Sequence, residues 1–89
     1  MPAGGERQRI DKWLWHARVV RRRSDAAALA WSGLVRHNSE RIRAAGRMVR
    51  LGDVITVALD RKVRVLKVKG LAARRGSAAA GRELYEELT

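Results

Sequence analysis

Apolar positions near the start of the chain recur at helical spacing. Ile10, Leu14 and Ala17 fall on one stripe with Trp13 beside it, which predicts a helix over residues 12–20 whose apolar face meets a core. Asp11 precedes that body and is a residue type that caps helix N-termini. Lys12, Trp15, His16 and Arg18 lie off the stripe. Ser24 is placed to cap a second helix, in which Ala26, Leu29, Ala30 and Gly33 form the matching face. These side chains are small, so the helices can approach closely, and Gly33 is suited to end the second one.

After Gly33 the period shortens. Residues 34–42 read as a hairpin turning at Asn38-Ser39, and residues 43–50 as a basic connection. Gly52-Asp53 signals a turn into a strand over 54–59, where Ile55, Val57 and Leu59 alternate with Val54, Thr56 and Ala58. Asp60-Arg61 turns the chain into a second strand over 62–68, which Gly70 breaks. Residues 71–76 are irregular and basic. Ser77 is placed to cap a final helix running to Leu88, with Leu84 and Leu88 four residues apart and Gly81 weakening it. The order predicts one small α+β domain: two N-terminal helices packed on a small curved antiparallel sheet, then a short C-terminal helix. Residues 1–8 are expected to be a flexible leader, 9–70 the domain, and 71–89 a basic loop and helix.

Charge changes the picture most. Twenty Lys and Arg against nine acids give +11 over 89 residues. Such a field attracts polyanions, and the planar guanidinium suits phosphate. Cysteine is absent, which excludes disulfides and thiolate metal sites and fits a reducing cytoplasm, the expected location. No apolar run is long enough to span a bilayer, so no membrane partner is expected. Nor is a cofactor or a metal: the two histidines, His16 and His37, are too few for a zinc site.

Arg9, Lys12, Arg18, Arg21, Arg22 and Arg23 crowd the first helix and the turn after it, with Asp11 the one acid among them. A merely soluble face mixes both signs, so this cluster reads as a binding face. Arg36, Arg43, Arg47 and Arg50 form a second basic set. If the strands fold back beside the helices, both sets line one surface. His16, beside the first cluster, is a candidate phosphate contact, while His37 is expected to pack within its strand. Trp13 is expected in the core. Trp15 and Trp31 either stack on a base or cover the rim of the core or the C-terminal tail. Ser24 has no acid–base partner to make it a nucleophile, and Glu83, Glu86 and Glu87 read as solvated or paired with arginine, so no enzyme is expected.

The order Arg9-Ile10-Asp11-Lys12-Trp13-Leu14, Ala17-Arg18, Arg23-Ser24, then Ala26, Gly33, Val35 and Asn38, ending in Gly52-Asp53-Val54-Ile55, resembles the S-four RNA-binding domain. Asp11-Lys12-Trp13-Leu14-Trp15 with Ala17-Arg18, and Arg74-Arg75 with Leu84-Tyr85-Glu86-Glu87, are similar to the ribosome-associated heat shock protein fifteen family. That resemblance implies RNA contacts at Arg9, Lys12, Arg18, Arg21, Arg22, Arg23 and Ser24, and also at Arg36 and Asn38. With His16, Arg47 and Arg50 from the charge pattern, these are the candidate site residues. Three departures stand out. The family's Asn-Gly turn is Asn38-Ser39, its Pro-Ser is Ala45-Gly46, and its extended basic tail is expected to be missing, the sequence ending at Thr89.

The resemblance implies binding to ribosomal RNA of the large subunit, in rescue or quality control of subunits carrying peptidyl-tRNA, with direct tRNA contact left open. The rival readings are a generic RNA or DNA binder, a targeting subunit for a separate RNA-modifying enzyme, and a peripheral membrane binder attracted by charge, which the core-facing stripe of the first helix disfavours. A monomer is the default expectation.

Overall fold

A computed structural model describes residues 6–89; Met1 to Gly5, within the expected leader, lie outside the described residues. The elements in chain order are β1 (Gln8–Arg9), α1 (Ile10–His16), α2 (Arg23–Trp31), β2 (Val35–His37), β3 (Glu40–Arg41), β4 (Met48–Val49), β5 (Val54–Ala58), β6 (Val63–Val68), α3 (Ala78–Arg82) and β7 (Tyr85–Glu87). Five strands form one antiparallel sheet in the order β3-β2-β5-β6-β7, while β1 and β4 pair separately. The expected α+β class with two N-terminal helices on an antiparallel sheet is what the chain adopts.

The stripes read from the sequence become the core. Ile10, Trp13, Leu14, Ala26 and Ala30 are fully buried against Val35, Ile55, Val57, Leu66 and Val68 from one face of the sheet. The indole Nε1–H of Trp13 donates to the Gly70 carbonyl at 2.9 Å, so the one polar atom of this core ring is satisfied.

Both N-terminal helices differ from expectation at their ends. Helix α1 begins at Ile10 with Arg9 at its N-cap, so Asp11 lies inside the first turn instead of capping it. It also stops at His16, short of Val20. Arg18 adopts φ +61°, its N–H bonds to the Trp15 carbonyl, and the Val19 N–H reaches back to Leu14. That left-handed residue closes a Schellman motif and ends the helix without glycine. Helix α2 starts one residue before Ser24, with Arg22 at its N-cap. The Arg22 N–H donates to the Asp25 carboxylate, so Asp25 takes the capping role expected of Ser24. At the other end Gly33 sits at φ +75°, with its N–H on Ala30 and the Leu34 N–H on Leu29.

Three further corrections concern the strands and the C-terminal region. Gln8, placed in the leader by the sequence reading, pairs with Val49, while Arg9 pairs with Met48 inside the segment expected to be a simple connection. Strands β5 and β6 each lose one residue at the turn between them, so Leu59 and Lys62 lie outside the sheet. The final helix is a short one. Ser77 caps it as expected, its Oγ accepting from the Ala80 N–H, but it ends at Arg82. Tyr85–Glu87 then pairs with β6 as the last strand of the sheet. A Cβ at Gly81 would stand 3.1 Å from the Ala17 carbonyl oxygen, so glycine lets α3 press on the end of α1. With Arg64 paired to Glu87 at 2.6 Å and bonded to the Tyr85 hydroxyl, the extended form gains partners that a continued helix would forgo.

Candidate nucleic-acid interface

Asp11 organises the basic corner of the molecule. Its carboxylate is only 5% exposed and accepts from Arg9 and Arg23. Arg9 reaches it through Nε and Nη2, both at 3.2 Å, and Arg23 through Nε at 3.3 Å. The Arg9 and Arg23 side chains remain 50% and 42% exposed, so each guanidinium is fixed on one side and open on the other. One buried carboxylate thus holds two cations from different elements side by side, which offsets their repulsion and pre-orients both forks.

The connection between β3 and β4 lies against this corner. Asp11 donates its backbone N–H to Ala45, and Ile10 to Arg47, so residues 45–47 are bound to the first turn of α1. The Arg9 guanidinium passes over Gly46. Lys12 is half-buried at the same end of the helix, and Ser24 is exposed on the first turn of α2. Arg21 and Arg22 stand exposed before α2. Arg9, Lys12, Arg21, Arg22, Arg23 and Ser24 thus lie along the start of α1 and the approach to α2.

Several candidates have other employment. His16 is 1% exposed, which places it beneath the surface and corrects its reading as a phosphate contact. Burial lowers its pKa, opposed by the Ala72 backbone and assisted by Lys12, Arg23 and Arg75, so the ring is held toward its neutral form. Arg18 donates through Nε and Nη2 to the Gly76 carbonyl, at 2.9 and 2.7 Å, and fastens the C-terminal segment to α1. The Asn38 amide is equally engaged: its oxygen accepts from the Val54 N–H at 2.8 Å and its nitrogen donates to Asp53.

Arg47 belongs to a polar chain. Its Nε–H donates to His37 Nδ1 at 3.0 Å and its Nη2 pairs with Glu40 at 2.6 Å. His37 Nε2 faces Asp53 at 2.6 Å, and Asp53 also accepts from the Arg50 N–H. With Nδ1 accepting, the proton sits on Nε2 and points at the carboxylate. His37 packs within its strand as expected, and its ring links β2, the β4 approach and the turn before β5. Sequence reasoning had no signal for this chain, whose members are spread over residues 37–53. The Arg50 side chain is exposed beyond it.

Arg36 departs from the expected single surface. It is exposed between buried Val35 and His37, so it projects from the sheet face turned away from the helices. The tryptophans divide as well. Trp15 packs under the C-terminal segment, with the Arg75 guanidinium 5.6 Å from its ring centre and Arg75 Nε bonded to its carbonyl. Trp31 is 70% exposed and covers no core.

The sequence matches the S4 domain over residues 8–55, which takes in the Asp11 corner, both helices and the hairpin. The chain belongs to the S4 domain family. This S4 domain carries the arginine pair held by Asp11 at its exposed corner. The chain is 33% identical over 79 residues to the heat shock protein 15 homolog of Haemophilus influenzae, and 37% identical over the same length to that of Aeromonas salmonicida. Those alignments take in 89% of this chain and 60% and 59% of the relatives, so it spans about three fifths of the curated relatives it matches. A trimeric structure of Vibrio cholerae heat shock protein 15 superposes with a TM-score of 0.85 at 30% identity, covering 92% of this chain and 82% of that one. Among the described residues no helix is long and apolar enough to cross a membrane.

Proposed function

We propose that this S4 domain docks on structured RNA of the large ribosomal subunit in the cytoplasm, in rescue or quality control of subunits carrying peptidyl-tRNA, and performs no chemistry there. The observation that carries the reading is the Arg9–Asp11–Arg23 arrangement, two guanidinium groups fixed on one buried carboxylate and open to solvent. Phosphate contacts from Arg9, Lys12, Arg21, Arg22 and Arg23 supply affinity, and the shape of the RNA supplies selectivity. The likeness to heat shock protein 15 supports the ribosomal assignment.

Co-sedimentation with isolated large and small subunits, at low and moderate salt and with peptidyl-tRNA present or absent, tests this. Selective large-subunit binding that strengthens with peptidyl-tRNA is the expected result. Equal, salt-labile binding to both subunits and to duplex DNA would leave a generic nucleic-acid binder. The monomer expected from the sequence contrasts with the trimeric Vibrio cholerae structure. Light scattering on the same preparation decides between them.

A further inference from the structure

Among the described residues, helices pack on one face of the sheet only. On its other face Arg36 and Arg41 stand directly opposite each other across β2 and β3, and Thr56 of β5 is the next partner of Arg36. Cross-strand partners project to the same side, so the two cations share one patch. Both are exposed, and no carboxylate among the described residues pairs with either. Like charges directly opposite on neighbouring strands repel, and an anion between them would reverse the sign of that interaction.

The surroundings describe what kind of anion fits. A depression of about 440 Å³ lies on this face, bounded by the two arginines with the Ser39 and Thr56 side chains and continued by Leu34, Ala58 and Val63. Leu34 and Val63 are 42% and 55% exposed, which leaves the apolar part open. The Arg41 side chain lies along Gly33, where a Cβ would come within 3.3 Å of its Nε. Two guanidinium forks at one end, hydroxyls beside them and an apolar floor match the phosphate, sugar and base of a nucleotide in that order. A second copy of this chain is a poor occupant, since it carries the same +11 charge.

We propose that the outer face of the sheet is a second RNA contact, with Arg36 and Arg41 clamping a backbone phosphate of a single-stranded segment and Leu34, Ala58 and Val63 receiving its sugar or base. This rests on the RNA-binding reading above and extends it: the domain grips RNA on two opposite faces. It would then join a structured element at the Asp11 corner to an unpaired stretch running behind the sheet.

The test compares two double variants of the full chain, Arg36→Ala with Arg41→Ala on the sheet and Arg21→Ala with Arg22→Ala at the helices. Affinity for purified large-subunit ribosomal RNA is measured by anisotropy across a salt series. Each double variant is expected to bind roughly three- to tenfold more weakly, with the log–log salt slope flattened by about 0.7 for the one phosphate lost at the sheet and about 1.5 for two lost at the helices. Arg36→Lys with Arg41→Lys should retain the slope, and a dispersed amide spectrum verifies that each variant folds. In the wild type, a short uridine oligonucleotide should shift the Arg36, Arg41 and Thr56 amides. Weakening in the helix variant alone would overturn the inference and leave the RNA-binding reading intact. No weakening in either would sink both. Shifts of the sheet amides by an acidic peptide but not by the oligonucleotide would also overturn it, and assign the face to a protein.

Discussion

Arg18 and Gly76 are joined by two hydrogen bonds to a single carbonyl oxygen, from an arginine whose own backbone is left-handed. The side chain repays part of the strain that its φ of +61° imposes. Arg18→Ala keeps the strain and loses the bonds, and is expected to destabilise the fold by about 1–2 kcal/mol. Arg18→Gly loses the same bonds but relaxes the backbone, so it should be more stable than the alanine variant by about 1 kcal/mol. Urea denaturation compares them, and equal midpoints would show that the left-handed residue carries no strain. In both variants amide exchange around Gly76 should accelerate.

Asp11 makes a prediction whose sign separates positioning from charge. Asp11→Asn raises the net charge by one, which alone would tighten RNA binding. If the carboxylate positions Arg9 and Arg23, the substitution should instead weaken binding, by about fivefold or ~1 kcal/mol. Anisotropy with large-subunit RNA reads the direction. Tighter binding would reject the positioning role.

The Asn38-Ser39 turn has positive φ at both residues, +52° and +73°, as a type I′ hairpin requires. Glycine is the residue that takes the second position without strain. Ser39→Gly should therefore raise stability by about 0.5–1 kcal/mol, visible as a higher Tm. Asn38→Ala should lower it by about 1–2 kcal/mol through the lost Val54 bond, while leaving RNA affinity unchanged. A loss of affinity without a loss of stability would return Asn38 to the RNA contacts.

Asp53 links the hairpin to acid stability. Burial by itself raises its pKa, but hydrogen bonds from His37, the Arg50 N–H and Asn38 outweigh this and bring it below the usual 3.8. A carboxyl with a lowered folded pKa stabilises the fold above its unfolded value, and that contribution disappears as pH falls through the folded value. The wild type should therefore lose stability relative to Asp53→Asn as pH drops below about 4. A gap that does not narrow in acid would mean the carboxylate is not preferentially stabilised in the fold. The Glu87 carboxyl, lowered by its hydrogen bond from Arg64, titrates in the same direction in both proteins.

The parts of this fold written as local periodicity were readable from the sequence. The Ile10-Leu14-Ala17 stripe, the small face of α2 and the alternation in β5 all report directly on which side meets the core. What failed to be readable depends on distant partners. Tyr85–Glu87 has a helical-looking spacing of leucines around it, yet a free edge of β6 and the guanidinium of Arg64 decide its state. His16 looks like part of a basic face until the fold buries it beside the Ala72 backbone. The arginine count pointed to a binding surface. Which arginines are open and which tie the chain together rests on carbonyls and carboxylates up to 60 residues away, as with Arg75 on Trp15.

The bond from the Trp13 indole to the Gly70 carbonyl spans 57 residues, and the one from Gln8 to Ala72 spans 64. During synthesis the Trp13 indole N–H therefore stays on water until Gly70, just past β6, has been made. Burial of that ring with its polar atom paired thus waits for the segment after β6, and α1 gains its full set of core partners late in synthesis.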